Sequence, residues 1–286
     1  LVLCAFVLIE VNYPLLQPHS RLALFGLLGL VLLFLQGRAT GDDRPNVIRR
    51  AFDILLLGVV CLSFGYVIVQ TEPVLSRLWL GDAALGDRAG QEAVADYVVG
   101  LIGLLLVLEA ARRAVGRTLP LLALAFILYA RFGASLPNWL FPHRGYDVGR
   151  IVSQTFLHSQ GVFGIALKVM FTYVFPFVLF GAFLEATGAT GFIVDLSHRI
   201  FRRSAGGPAK VAVLSSALMG SLSGSAVANT ATTGTFTIPM MRRAGFAPHL
   251  AAGVEAAASS GGALMPPIMG AGAYMMLEIV NPPVTY

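Results

Sequence analysis

The sequence predicts an all-α polytopic membrane protein, and three observations support this fold class. Of the 286 residues, 56% are hydrophobic and only 12% are charged, with a mean hydropathy of +0.76, whereas soluble domains carry about 25% charged residues. Several apolar runs approach the roughly 20 residues that a membrane-spanning helix requires. Basic residues gather in the short loops between these runs, as the positive-inside rule expects of cytoplasmic loops. The net charge of +5 therefore does not indicate nucleic-acid binding.

Five apolar runs are interpreted as membrane-spanning helices. Basic loops after the first, third and fifth runs predict cytoplasmic positions, and the acidic loop over residues 71–96 is then external. Membrane lipid is accordingly an expected partner of the chain. The runs cover residues 22–36, 51–70, 97–111, 119–132 and 163–186.

A re-entrant helical hairpin is predicted for residues 211–241. Lys210 precedes this segment, and Arg242 and Arg243 follow it. If the basic residues at both ends are cytoplasmic, the chain between them must cross the membrane an even number of times. About 31 residues at 1.5 Å per residue are too few for two full crossings of a ~30 Å hydrocarbon core. The alternative is one long tilted helix that violates the positive-inside rule. Three glycines within the segment would weaken such a helix and favour the hairpin.

A discontinuous helix is predicted for residues 250–280. Proline lacks the backbone donor and clashes with the preceding turn, so Pro266 and Pro267 should break the helix into two halves. Gly261 and Gly262 should shape the same break, although a simple proline kink is the alternative. Discontinuous helices form ion and substrate sites in secondary transporters. Two irregular elements, consecutive in sequence, are therefore expected to converge at mid-membrane.

The uncharged stretch over residues 220–234, rich in serine, threonine and glycine, predicts an ion and substrate site at the tip of the hairpin. Irregular backbone at membrane depth is tolerated only where protein covers it or where it lines a cavity. A hard cation prefers oxygen ligands, which hydroxyls, amides and freed carbonyls supply. The alternative is that small residues only let helices pack closely and hydrogen-bond across the contact. The predicted ligands are Ser223, Ser225, Asn229, Thr232 and Thr233, together with Gly261, Gly262, Pro266 and Pro267 at the break.

Glu255 lies close to the predicted break. An ionisable residue inside a membrane is a functional candidate by default. Two other interpretations stay open, namely a supporting hydrogen-bond partner behind the ligands and an ion pair with an arginine.

Other chemistries find no support in the sequence. The five histidines are scattered without metal-ligand spacing, so no metal other than sodium and no cofactor is expected. No GxxxxGK[ST] phosphate loop occurs. Ser225 has no suitable base nearby in sequence, which argues against a hydrolase. The sequence therefore predicts a chain that is not an enzyme.

Six motifs in residues 160–280 closely resemble the fused permeases of TRAP transporters, the tripartite ATP-independent periplasmic transporters, and most of all the type paired with TAXI binding proteins. Residues 1–133 resemble the small membrane subunit only in their pattern of short spans, and residues 134–286 resemble the first repeat of the large subunit. The motifs are FPFVLFGAFLE (175–185), GGPAKVAV (206–213), GSLSGSAVA (220–228), TTGTFTIP (232–239), EAAASSGG (255–262) and MPPIMG (265–270).

The resemblance implies a sodium-coupled importer of small organic anions, typically carboxylates, in the cell inner membrane. A TAXI-type periplasmic binding protein would deliver the substrate, and a transport domain would move as an elevator against a scaffold. The large subunit of this family has two inverted repeats, and this chain is expected to hold only the first of them. The alternative is a scaffold subunit that moves no substrate, or a passive channel.

Overall fold

The chain is helical, as the sequence predicts, and folds into two compact units. The computed structural model describes residues 1–36, 47–80, 83–88, 90–135, 137, 141–266 and 269–280, and this part of the chain contains no β-strand. The units are Leu1–Lys168 and Val169–Tyr286. The two units are defined by their internal packing only. The predicted division between small-subunit-like helices (residues 1–133) and the first repeat of the large subunit (residues 134–286) therefore stays a prediction.

The first unit contains most of the long apolar helices. Among the described residues, five segments are long and apolar enough to cross a membrane: Pro18–Gln36, Ala51–Thr71, Val94–Val115, Thr118–Ser135 and Ile165–Ala186. They agree with the five predicted spans. The helices of this unit are α1 (Val2–Asn12), α2 (Pro18–Gln36), α3 (Val47–Thr71), α4 (Val94–Val115), α5 (Thr118–Phe132) and α6 (Val148–Val152), with 3₁₀ turns at Pro73–Leu78, Leu85–Arg88 and Gly133–Ser135.

Polar contacts join α3 to α4 near both ends. At one end Arg113 donates to Asp53 at 2.7 Å. At the other, the fully buried Asp96 accepts a hydrogen bond from Tyr66 at 2.5 Å and lies 3.4 Å from Arg88. Arg88 also donates to Gln70 at 2.8 Å. Buried charges need partners. Through Arg88, these contacts hold the segment that connects α3 to α4 against both helices.

The second unit is built from shorter helices. The segment that leads into it changes from α-helix to a π turn over Met170–Val174, directly before Pro176, whose missing N–H disturbs the regular α-helical hydrogen bonds. Helix α7 (Ile165–Val169) ends at the first residue of this unit. The helices of the unit itself are α8 (Phe175–Ala186), α9 (Ala189–Phe201), α10 (Gly207–Ser223), α11 (Ala226–Arg243), α12 (Pro248–Gly262) and α13 (Ala271–Ile279).

The helices α10 and α11 form the hairpin predicted for residues 211–241. Gly224 ends α10 in the left-handed conformation with φ of 62°, and its N–H donates to the carbonyl of Gly220 at 2.9 Å. Glycine adopts this conformation without the steric cost that other residues incur. The side chain of Ser225 then caps α11 by accepting from the N–H of Ala228 at 3.3 Å. That both ends of the hairpin lie at one membrane face stays a prediction.

The placement of the hairpin ends can be measured by cysteine labelling. With Cys4 and Cys61 replaced by alanine in the full-length parent protein, we expect Arg203→Cys and Arg242→Cys to react from the same side of the membrane with a reagent that does not permeate. Both positions are exposed. Reaction from opposite sides would show that this segment crosses the membrane and would reject the re-entrant hairpin.

The predicted break between residues 250 and 280 is present. Helix α12 ends at Gly262 and α13 begins at Ala271. Between them Met269 has a positive φ of 49°, a conformation that is uncommon outside glycine and is associated with functional sites. Tyr274 of α13 stacks on Tyr173 with ring centroids 5.1 Å apart. The second half of the helix is therefore held by the π turn before α8.

Helix α10 is the centre of the second unit. It packs against α8, α9, α11 and α12. Close to one end of α12, a small apolar core consists of the buried residues Ala212, Met241 and Ala251. The interior between α10, α11 and α12 also contains buried Ser, Thr, Asn and Glu side chains, and these form the candidate site.

Candidate functional site

The hairpin turn and the break of the discontinuous helix lie next to each other. A Cβ placed on Gly270 would be 3.6 Å from the carbonyl oxygen of Gly224. One turn away, a Cβ on Gly220 would be 2.6 Å from the backbone of Gly262, so the two backbones are in direct contact. Only glycine permits this approach. The two irregular elements therefore lie together, as predicted, whereas their position at mid-membrane stays a prediction.

Four helix ends meet at this place. Helices α10 and α12 end there, at Ser223 and Gly262, and helices α11 and α13 begin there, at Ala226 and Ala271. The last carbonyls of a helix carry partial negative charge and its first N–H groups carry partial positive charge. The meeting point thus offers a cation two helix C-termini and an anion two helix N-termini.

Asn229 on α11 is buried, with 1% of its surface exposed. Its amide nitrogen donates to the carbonyl of Ser216 at 2.7 Å and to the hydroxyl of the same residue at 3.0 Å. The carbonyl can only accept, so the amide nitrogen must face it. The amide oxygen Oδ1 consequently has no hydrogen-bond partner. A buried acceptor without a partner costs about 1–3 kcal/mol and is a suitable ligand for a cation.

Glu255 on α12 is fully buried and surrounded by hydroxyl groups of three helices. Its Oε1 accepts hydrogen bonds from Thr233 at 2.5 Å, Ser216 at 3.0 Å and Ser259 at 3.2 Å. Its Oε2 accepts from Thr237 at 2.5 Å. We call Glu255 and these four residues the Glu255 cluster. It connects α10, α11 and α12 through side chains.

The predicted site residues occupy three different surroundings. Thr233 belongs to the Glu255 cluster and Asn229 donates to its Ser216. Thr232 instead donates to the carbonyl of Ala228 on its own helix at 3.0 Å. Ser223 and Ser225 lie at the hairpin turn, where the backbone N–H of Ser225 donates to the Ser223 hydroxyl at 3.4 Å. At the break, Gly262 packs against α10, Gly261 has open space around it, Pro266 is exposed, and Pro267 lies outside the described residues.

Three members of the cluster, Ser216, Thr237 and Ser259, are not among the sequence-predicted ligands. Two of them could have been found from their spacing in the sequence. Asn229, Thr233 and Thr237 follow one another at intervals of four residues, and Ser259 lies four residues after Glu255. Residues four apart lie on one face of a helix. Of the interpretations considered for Glu255, the hydrogen-bonded one fits the geometry. No Lys, Arg or His of the described part of the chain forms an ion pair with Glu255.

A second polar cluster lies in the first unit, ahead of α4. The carboxylate of Glu92 accepts hydrogen bonds from the hydroxyl of Ser153 and lies 3.1 Å from His158. Burial acts to raise the pKa of Glu92, but the hydrogen bonds from Ser153, the backbone and His158 outweigh it and lower the pKa to about 2. The cluster therefore fixes α6 and the π turn over Ser153–Leu157 to the start of α4. Over the described residues, no group of three or more His, Cys, Asp and Glu has a metal-binding arrangement.

Comparison with known proteins agrees with the resemblance of the motifs to TRAP permeases, and the TAXI-associated type stays a prediction. Residues 102–286 match the family model of the tripartite ATP-independent periplasmic transporter, DctM component. The 2,3-diketo-L-gulonate TRAP transporter large permease protein YiaN of Escherichia coli is 39% identical over 134 residues, which are 47% of this chain and 28% of that protein. A putative TRAP transporter large permease protein of Haemophilus influenzae is 37% identical over 91 residues, which are 32% of this chain and 21% of that protein. No solved structure matches significantly.

Proposed function

Since this chain belongs to the DctM component family of the tripartite ATP-independent periplasmic transporters, we propose that its second unit forms part of the ion and substrate path of a sodium-coupled importer of small organic anions. The chain is a multi-pass permease protein of the cell inner membrane. Its aligned part spans less than a third of the length of the curated relatives described above. Coupling ion, substrate and partners are therefore proposals for the full-length parent protein.

The unpartnered Oδ1 of Asn229 is the observation that carries the proposal of a cation path. Sodium is a hard cation and takes oxygen ligands. A neutral amide oxygen, nearby hydroxyls and the carbonyl-rich ends of α10 and α12 supply such ligands without a fixed positive charge. Discontinuous helices with these features coordinate sodium in secondary transporters. The same residues would serve a site for sodium better than one for a divalent metal, which prefers several carboxylates.

The beginnings of α11 and α13 support an anionic substrate. The partial positive charge at the start of a helix favours a carboxylate, and α13 begins beside Gly270, which lies close to Gly224 of the hairpin turn. The name of the Escherichia coli relative denotes a sugar-acid anion as its substrate. We take small carboxylates as the substrate class for this chain.

The proposed partners follow from the family. A periplasmic binding protein, of the TAXI type on the resemblance of the motifs, would deliver the substrate. A small membrane subunit is proposed within residues 1–133, although the family match itself begins at residue 102. A second repeat of the large subunit would supply the other half of the path.

Uptake into proteoliposomes tests the function. The full-length parent protein and its binding protein, loaded with radiolabelled candidate carboxylates, would be given an inward sodium gradient. We expect saturable uptake that requires both sodium and the binding protein. Uptake that does not saturate and needs no gradient would indicate a passive channel, and no uptake with an active binding protein present would indicate a scaffold subunit.

A further inference from the structure

A groove runs between α4 and α5 of the first unit. The two helices are joined through Gly116 and Arg117 alone, and Gly116 has the positive φ of 96° that favours glycine in so tight a turn. The groove beside this turn has a volume of about 320 Å³, which is the size of a small ligand site. Its apolar walls are Leu105 and Leu108 of α4 and Pro120, Leu121 and Leu124 of α5.

The residues that line the groove follow a helical period on both sides. On α4 they stand at positions 105, 108, 109 and 112, and on the side of α5 at positions 117, 120, 121 and 124. A spacing of i, i+3, i+4 and i+7 places residues on one face of a helix. One face of each helix, two turns long, is therefore directed to the groove.

These two faces are not covered by the rest of the described chain. The exposed fractions of Leu105, Leu121 and Leu124 are 56%, 62% and 43%, and α5 has no buried residue. Both helices belong to segments that can cross a membrane. The groove therefore opens toward the hydrocarbon of the bilayer.

Charged side chains stand at one end of the groove. Arg112 donates through Nε and Nη2 to the two oxygens of Glu109, both at 2.7 Å. Arg113 donates to Glu109 at 2.8 Å and reaches across to Asp53 of α3 at 2.7 Å. The side chain of Arg117 is exposed and forms no ion pair with any carboxylate of the described residues.

The charges at this end do not cancel. Three arginines face two carboxylates, Glu109 and Asp53, and the positive charge left over belongs to Arg117. A single phosphodiester group would balance it. The start of α5 lies at the same end, and no side chain caps its first N–H groups, so the helix adds partial positive charge there.

The basic residues predict that this end of the groove is cytoplasmic. Basic pockets between membrane helices on that side bind the head groups of anionic lipids, and arginine side chains extend toward the head groups. From Arg112 back to Leu105, seven residues correspond to about 10.5 Å of helix rise. The apolar walls thus continue below the charged end into the hydrocarbon region. A molecule with a phosphate at one end and a hydrocarbon chain at the other matches this arrangement.

We propose that the groove between α4 and α5 binds an anionic phospholipid of the cytoplasmic leaflet. Its phosphate lies at Arg117 and Arg112, and one acyl chain lies between the leucines of the two helices. The lipid fills the space that the two helix faces leave open. This inference goes beyond the proposed function and does not depend on the coupling ion or on the transported substrate.

Photo-crosslinking of the full-length parent protein tests the lipid site. The protein would be placed in nanodiscs of phosphatidylcholine that contain a little phosphatidylglycerol with a diazirine in one acyl chain. After irradiation, we expect mass spectrometry to find the label on α4 and α5. Unlabelled phosphatidylglycerol should suppress this labelling at about fivefold lower concentration than added phosphatidylcholine, because one basic residue near the surface contributes about this factor. Glycerol 1-phosphate, which has a phosphate but no acyl chain, should not suppress it.

Matched variants test the two halves of the site. Arg117→Gln should lower the labelling about fivefold at limiting phosphatidylglycerol, whereas Arg77→Gln, a change at an exposed arginine after α3, should leave it unchanged. Leu124→Trp fills the groove and keeps every charge, so it should suppress the labelling. Leu122→Trp is its control, because Leu122 is 52% exposed on the same helix but does not line the groove.

Three results would overturn the proposal. Equal labelling by phosphatidylglycerol and phosphatidylcholine probes would show ordinary boundary lipid only. Suppression by glycerol 1-phosphate would show a site for a free phosphate compound. Label elsewhere on the protein but none on α4 and α5 would show that another part of the parent protein covers the groove. None of these results bears on sodium-driven uptake, so the proposed function is tested separately.

Discussion

Replacing Gly262 with alanine is expected to destabilise the second unit and to abolish transport by the parent protein. The new Cβ would lie 2.7 Å from the carbonyl oxygen of Ser216 and 3.0 Å from Cα of Gly220. Both are backbone atoms of α10, so no flexible side chain can move away. Overpacking of this kind costs about 1–3 kcal/mol, and it would also move α12 away from α10. Thermal unfolding of the purified protein and uptake in proteoliposomes measure the two effects.

Gly261 provides a matched control for this change. It lies one residue earlier on the same helix, and a Cβ there would meet nothing within 4 Å. Gly261→Ala should therefore unfold at the wild-type temperature or slightly above it, because alanine favours helix over glycine by up to about 1 kcal/mol. Equal stability of the two variants would contradict the direct contact between α10 and α12.

Replacing Asn229 with alanine is expected to raise the half-saturating sodium concentration for uptake by about tenfold or more. Removal of one cation ligand worth about 1.4 kcal/mol corresponds to this factor. The variant also loses two hydrogen bonds to Ser216, each worth about 1 kcal/mol. We still expect membrane insertion and protein yield to change less than the sodium dependence.

Thr230→Val is the control for Asn229→Ala. Thr230 is on the same helix, and its hydroxyl bonds only its own helix, at 2.8 Å from the carbonyl of Ala226. Its sodium activation curve should match that of the wild type. A wild-type curve for Asn229→Ala as well would remove Asn229 from the proposed sodium site.

The membrane spans and the two breaks can be predicted from the sequence because their causes are local. The length of an apolar run is enough to predict a span. Gly224 and the proline pair each interrupt a helix at the position where they stand in the sequence. The predicted hairpin accordingly appears as α10 and α11, joined through Gly224 and Ser225. Which membrane face the hairpin enters depends on its surroundings, and the sequence only indicates it through the positions of basic residues.

The composition of the Glu255 cluster is harder to predict because its members come from three helices. The spacing of Asn229, Thr233 and Thr237 marks one face of α11. The sequence around this face does not show that it packs against Ser216 of α10. Nor does it show that the neighbouring Thr232 donates to a carbonyl of its own helix. The packing of α10, α11 and α12, which includes the glycine contact between α10 and α12, brings these faces together. This packing depends on three segments that are separate in the sequence.

The polar interior of α10, α11 and α12 has a consequence for biogenesis. None of the five apolar segments that can cross a membrane lies beyond Ala186 in the described residues, and α11 alone carries Asn229 and five threonines. Helices of this kind partition poorly into lipid one at a time. The hydroxyls that surround Glu255 satisfy it only after the three helices have packed. We therefore expect the five apolar segments to insert into the membrane first, during synthesis. The hairpin of α10 and α11 should enter the bilayer later, after it has packed against α12.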